Sequence, residues 1–219
     1  MPKFILMLIP CLLMGCRTGP DFDEMKVKAE KGDANAQNYL GTAYQHGEGL
    51  KQDIHEAIKW YRKAADQGEV YAQNNLGYIY DYGEGVKTDY KKAVKWYQKA
   101  ADQGLDQGQF YLGLMYYEAK GVTQNFKEAE KWFQKSAGQG DSSAQGLLRD
   151  MYWRGKGVKQ DRVAAYAWAK IVCENDGRSH AEEHKNDLKK EMSKTQIFKT
   201  EKLFREMISK NPKLIQKNN

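Results

Sequence analysis

Residues 72–101 read AQNNLGYIYDYGEGVKTDYKKAVKWYQKAA. Ala72, Leu76 and Tyr80 recur every fourth residue and mark one face of a helix. Gly83-Glu84-Gly85 stops that helix, because glycine takes a positive φ without strain. Asp89 suits the N-cap of a second helix, with Ala93, Trp96, Ala100 and Ala101 along its apolar face. Neither helix can bury its apolar face alone, so units of this kind must stack.

The same stretch recurs. Trp60, Trp96, Trp132 and Trp168 are spaced by 36 residues. Leu40, Leu76, Leu112 and Leu148 keep that step of 36, as do Tyr44, Tyr80, Tyr116 and Tyr152. So do Gly49, Gly85, Gly121 and Gly157, and Ala57, Ala93, Ala129 and Ala165. Columns held in one register without insertion specify four repeats. Gly32-Asp33 opens the first as a helix-ending glycine and an N-cap, and the pairs Asp53/Glu56 and Asn125/Glu128 have capping-box spacing.

The shared pattern, A-x3-L-G-x2-Y-x2-G-x-G-V-x2-D-x3-A-x2-W-x3-A-A, resembles the Sel1-like repeat, a relative of the tetratricopeptide repeat. The resemblance covers about Lys28 to Cys173. It implies an all-α, right-handed α-solenoid of four helix-turn-helix repeats whose concave side holds a protein or peptide. Local departures are Leu50 for Val, Ala119 for the first loop Gly, and Arg149 for the Gly after Leu. Arg149 is expected to loosen the helix approach in the fourth unit. After Gly177 the period stops, and two helices are expected to cap the last repeat, the second opened by the capping box Ser193/Gln196. The end beyond Pro212 reads as frayed.

Outside the repeats, Phe4–Met14 is an apolar run of 11 residues, too short to span a bilayer and suited to a signal peptide. Leu13-Met14-Gly15-Cys16 resembles the lipobox of bacterial lipoproteins, in which the Cys is lipidated and becomes the mature N-terminus; Met14 departs from the usual small residue. Ordinary cleavage and an uncleaved anchor are the alternatives. By the same resemblance Arg17, standing where an Asp would retain the protein at the inner membrane, implies an outer-membrane location facing the periplasm. The chain thus divides into a signal peptide at 1–15, a tether at 16–27, repeats at 28–177 and a capping, basic tail at 178–219.

The net charge of +6 is unevenly placed. Residues 16–177 hold 23 basic and 23 acidic side chains, whereas residues 178–219 hold 11 and 6. Neutral repeats at an extracytoplasmic location argue against nucleic acid as partner. The basic tail reads as a solvated capping helix or as a strip resting on anionic lipid.

Chemistry-bearing motifs are sparse. His180-Ala-Glu-Glu183-His184 matches H-x-x-E-H, but a catalytic zinc needs a third ligand and an enclosed cleft, so no metal is assigned. The Gly-x-Gly loops lack the third glycine and preceding strand of a dinucleotide fingerprint, so no cofactor is assigned. Cys173 falls in the column Ala65, Ala101, Ala137 and reads as a buried, inert thiol. Some cysteine-rich relatives of the repeat are described as penicillin-binding or β-lactamase-like. Their cysteine pairs are absent, as is any Ser-x-x-Lys, so a β-lactam or metal-dependent hydrolase is the least favoured reading and no small-molecule substrate is indicated.

The side of each first helix opposite its apolar face is the candidate binding surface. In the first unit it is polar: Asn35, Asn38, Thr42, Gln45 and His46. Later units place Tyr71, Asn74, Tyr78, Asp81 and Tyr82, then Gln107, Phe110, Leu114, Tyr117 and Glu118, then Asp150, Trp153 and Arg154. Aromatic side chains rimmed by amides and charges are typical partner anchors. The other reading is that solenoid curvature buries several of them. The expected function is a non-enzymatic, envelope-tethered interaction module. Within the lipoprotein relatives, immunity proteins against secreted phospholipases supply the narrower alternative.

Overall fold

The computed structural model of the chain describes residues 22–176 and 179–215. Among these the regular structure is helical throughout. The first helices of the four repeats are α2 (Ala34–His46), α4 (Val70–Tyr82), α6 (Asp106–Glu118) and α8 (Ser142–Arg154). The second helices are α3 (Ile54–Asp66), α5 (Tyr90–Asp102), α7 (Phe126–Gly138) and α9 (Arg162–Asp176). Each helix contacts its neighbours in sequence, the architecture of an α-solenoid. The helix α1 (Phe22–Glu30) precedes them, and α10 (Ser179–Lys190), α11 (Lys194–Lys210) and a 3-10 turn (Pro212–Leu214) follow.

Residues 22–27 are therefore not a tether. They begin α1, whose Phe22, Met25 and Ala29 pack with Ala36 and Leu40 of α2. Ala29 lies one repeat before Ala65, so α1 stands where the second helix of a preceding unit would stand. The end beyond Pro212 is not frayed up to Ile215: the Leu214 side chain is buried and joins the core of the last two repeats.

Local chemistry explains the helix ends. Asp33, Asp53, Asp89, Asn125 and Asp141 each accept backbone N–H bonds in the first turn of the helix they open. The pairs Asp53/Glu56 and Asn125/Glu128 realise only half of a capping box. The cap N–H is already donated across the loop, from Asp53 to the Tyr44 carbonyl (2.9 Å) and from Asn125 to that of Tyr116 (3.0 Å). Glu56 and Glu128 turn instead to Lys59 and Lys131. Ser193/Gln196 forms the full box, as expected. The second loop glycine has a packing role besides its positive φ: a Cβ on Gly85 would lie 2.0 Å from Ile54, and one on Gly157 would lie 2.0 Å from Phe126. Each such loop rests on the start of the second helix of the preceding repeat. Ala119 holds the left-handed conformation (φ 60°) that glycine takes in the equivalent loops, the sole non-glycine to do so among the described residues.

Within each of the first three repeats, a helix glycine lies against an aromatic ring. A Cβ on Gly41, Gly77 or Gly113 would come within 2.5, 2.5 or 2.6 Å of Tyr61, Tyr97 or Phe133. Arg149 occupies this position in the fourth repeat, yet it does not hold the helices apart, because Ala169 stands where the ring would be. The guanidinium reaches outward to Asp150 (2.9 Å).

A buried polar ladder runs through the stack and was not anticipated. Gln37, Gln73, Gln109 and Gln145 are each nearly or fully buried and donate to the carbonyls of Ala29, Ala65, Ala101 and Ala137. Their own carbonyls accept from Gln67, Gln103, Gln139 and Asn175. At the far end Gln145 and Asn175 both donate to the Leu214 carbonyl (3.0 and 2.8 Å), and Asn211 donates to that of Gly138 (2.7 Å). The tail thus closes the last repeat by hydrogen bonds as well as by apolar contact.

Candidate binding groove

The first helices line a groove of about 660 Å³. It does not follow one column of the repeat. It begins at Thr42, Gln45 and His46 near the end of α2 and passes Asn74, Asn75 and Tyr78 in the middle of α4. It then meets Gln107, Phe110 and Tyr111 early in α6, and ends at Asp141 and Ser143 where α8 starts. The path is a diagonal across the stack.

Its polar wall is a connected network. The Tyr61 hydroxyl donates to Gln45 Oε1 (2.7 Å) and shares a hydrogen bond with Thr42 Oγ1 (3.1 Å). Gln45 Nε2 donates to Glu84 Oε2 (2.8 Å), and Asn75 Nδ2 donates to Asn38 Oδ1 (3.2 Å). These bonds fix the wall between the first two repeats. Beside them Asn74 is 5% exposed and its Oδ1 accepts no hydrogen bond. A buried acceptor without a donor is costly.

The opposite wall is aromatic. Tyr78 stacks on Tyr82 (4.4 Å between ring centroids) and meets Tyr111 edge-on (6.4 Å). Phe110 stands edge-on to Tyr111 (5.5 Å), which in turn stacks on Tyr97 (5.0 Å). The charged lining residues are the acids Glu84 and Asp141, with His46 at the rim. Burial raises the Asp141 carboxyl above its usual range, against the bond it accepts from the Ala144 N–H (2.7 Å).

Of the expected partner-binding residues, the groove brings together Asn74, Tyr78 and Phe110, with Thr42, Gln45, His46 and Gln107 from the same helix face. Tyr82 adjoins through its stack on Tyr78 and is 60% exposed. Asp81, Leu114, Tyr117, Glu118, Trp153 and Arg154 lie off the groove, toward the C-terminal ends of α4, α6 and α8. Curvature buries part of this set: Tyr117 packs edge-on against Phe126 and Phe133, and Leu114 joins the same core. Trp153 is covered by Arg162 and packs against the cluster of Tyr166, Leu188 and Met192. Asp81 is desolvated, which raises its carboxyl, while Lys120 opposes that shift. Tyr71, 54% exposed, borders a separate shallow pocket with Gln103, Leu105 and Asp106. Asn75 and Tyr111 were missed although they share one column, 36 residues apart and one step beyond the face that was read.

Tyr97 is fully buried and its hydroxyl makes no hydrogen bond of normal geometry, unlike that of Tyr61, although it lies close enough to the Asp81 carboxyl to lower that carboxyl slightly against burial. The repeat itself supplies the remedy, since Phe133 occupies the same column. Tyr97→Phe is expected to raise stability by about 1 kcal/mol, read as a higher urea midpoint. Alkaline titration gives a second readout. Burial pushes the Tyr61 hydroxyl up to about 12 and raises Tyr97 and Tyr152 as well. A raised phenol keeps its proton in the folded state, so its contribution is complete below the ordinary value of 10.0 and is lost as pH climbs through about 12. Circular dichroism should therefore show unfolding above that lower value, displaced to higher pH in Tyr97→Phe.

Cys173 is buried, and desolvation raises its thiol. Among the described residues no group of three His, Cys, Asp or Glu side chains could hold a metal ion. The side chain of His180, and Cys16 with residues 1–21, lie outside the described residues.

The repeat register and the stacked helix pairs have a family. The Sel1 repeat matches residues 34–69, 70–105, 106–141 and 144–176, and the chain belongs to the Sel1 repeat family. Proteins of this family mediate protein–protein interaction, and their fold is typically a non-catalytic scaffold. Among solved structures, the chain is similar to a protective antigen of uropathogenic Escherichia coli with an SLR fold (37% identity, TM-score 0.78), covering 88% of this chain and 42% of that one. It thus spans less than half of that antigen. It is also similar to a Sel1 repeat protein of Oxalobacter formigenes (33% identity, TM-score 0.70), covering 84% of this chain and 78% of that one. An immunity protein of Pseudomonas aeruginosa shares the fold at 19% identity and a TM-score of 0.51, covering 90% of this chain and 78% of that one. No curated protein matches the chain.

Proposed function

We propose that the chain is a non-enzymatic interaction module, held at the cell envelope, that takes a segment of a partner protein into the diagonal groove. The observation that carries this reading is the juxtaposition of Tyr78, Phe110 and Tyr111 with the polar wall of Gln45, Asn75 and Glu84 in one open groove. Aromatic rings supply contact area at low entropic cost, and the exposed amide of Gln107 beside them supplies hydrogen-bonding groups. Lipidation at Cys16 would hold the groove at the outer membrane, facing the periplasm, and raise the effective concentration of partners there.

The test is a crosslinking pull-down from the native envelope, comparing wild type with Tyr78→Ala/Gln107→Arg. Both positions border the groove, and Gln107 is exposed. Tyr117 is left intact because it packs on Phe133. One dominant partner, lost in a variant that melts near wild type, is the expected result. Equal recovery from both proteins would remove the groove assignment. Immunity to a secreted phospholipase is the narrower form of the same reading, and a tight one-to-one complex with such a toxin would establish it. The likeness to the P. aeruginosa immunity protein supports the scaffold for that role through its fold alone.

A further inference from the structure

The helix α11 has two unlike faces. Ile197, Phe204, Met207 and Ile208 pack on the core, and Thr200 donates to the Val163 carbonyl (3.3 Å). On the other side Phe198 is 74% exposed, more than any other large hydrophobic side chain among the described residues. At about 100° per residue, Lys194, Lys202 and Arg205 fall within about 40° of Phe198. All three cations are exposed, and Lys199 flanks them. The acids of the helix have their main partners elsewhere: Glu201 binds Lys170 and Glu206 binds Lys210, each at 2.6 Å, with Lys202 a weaker charge near Glu206. The result is a stripe about 17 Å long, at 1.5 Å rise per residue, in which cations surround one ring.

We propose that this stripe docks on the surface of an anionic phospholipid bilayer. Lys194, Lys202 and Arg205 would meet lipid phosphates while the Phe198 ring enters the boundary between headgroups and acyl chains. Charge complementarity selects the partner, since basic side chains are attracted to an anionic leaflet and an aromatic residue among them adds apolar insertion. A nucleic acid would satisfy the cations and leave the ring exposed. A folded protein would require a wider apolar patch than one ring provides. The stripe lies on the helix that packs against α9, apart from the groove residues, so it stands independently of the groove reading.

Sedimentation of the full chain with lipid vesicles tests the proposal. One set is phosphatidylcholine alone and the other is phosphatidylcholine mixed with phosphatidylglycerol. The quantity read is the ratio of the two partition coefficients, in which the contribution of any acyl chain or apolar N-terminal segment cancels. Wild type is expected to prefer the anionic vesicles by about tenfold or more, and the preference should fall as salt rises. Lys202→Glu/Arg205→Glu should abolish it, and Phe198→Ala should weaken anionic binding several-fold, with melting unchanged in both. Equal partition of wild type, or a preference that survives the double charge reversal, would overturn the proposal. Binding to a duplex oligonucleotide together with indifference to vesicles would overturn it in favour of nucleic acid.

Discussion

Gly113→Arg is expected to destabilise the chain by about 3 kcal/mol, and the loss in Gly113→Arg/Phe133→Ala is expected to fall well short of the sum of the two single losses. A Cβ at Gly113 would lie 2.6 Å from the Phe133 ring, closer than packed atoms approach. The ring is fully buried and meets Phe110 and Tyr117, so it has little space into which to retreat. Helix propensity acts in the opposite sense, because replacing a helix glycine gains about 1 kcal/mol, but that is smaller than the clash. Phe133→Ala alone should cost about 3–5 kcal/mol through the cavity it leaves. The double variant rebuilds in the third repeat the pairing that the fourth already has, Arg149 opposite Ala169. Urea unfolding of wild type, the two single variants and the double variant closes the cycle. A double-variant loss equal to the sum of the single losses would show that the ring and the glycine are not coupled.

The second large effect concerns the ladder. Gln145→Leu is expected to cost about 2–4 kcal/mol, because three hydrogen bonds are lost, two donated to carbonyls and one accepted from Asn175, with their partners left inside the stack. Gln145 is 0% exposed and donates to the carbonyls of Ala137 and Leu214. After the substitution Ala137 loses its side-chain donor, and Leu214 keeps only the bond from Asn175. The tail should therefore open more readily, and trypsin should cut faster after the exposed Lys210 or Lys213. Unchanged proteolysis together with a stability loss below about 0.5 kcal/mol would show that the ladder does not hold the tail.

These two features differ in how visible they are in the sequence. The apolar columns, the loop glycines and the N-caps are local signals, and they specified the helix pairs and their register. The glutamine columns keep the same 36-residue step, yet a hydrophobicity pattern assigns Gln to solvent. Its burial is tolerated only because the preceding unit supplies the carbonyl that its amide N–H meets, while the end of its own unit supplies the donor to its carbonyl, and a hydrophobicity pattern contains neither. The groove was half legible for a related reason. Reading one helix at a time finds the outward face, which gave Asn74, Tyr78 and Phe110. Stacking rotates each unit on the last, so the open path crosses from one face column to the next and leaves Leu114 and Tyr117 half-buried against the core. The tryptophan column hides a similar distinction. Lys63, Lys99 and Lys135 lie over Trp60, Trp96 and Trp132 at 3.9, 4.2 and 3.8 Å, whereas the residue three after Trp168 is Ile171, fully buried. That single change marks the unit that a capping helix covers.

The non-repeating tail has a consequence for how long such a molecule can be. Every repeat offers its successor the same donors and acceptors, and nothing within a unit counts how many have gone before. A fifth unit inserted ahead of the last would find its bonding partners waiting on both sides. The same openness would let the bare end of one molecule add to the start of another, growing filaments without limit. By covering the last second helix with α10 and α11, which break the 36-residue pattern, and by tying its end back to Gln145 and Asn175, the tail acts as a terminator, and the number of units becomes a property of where that terminator is joined.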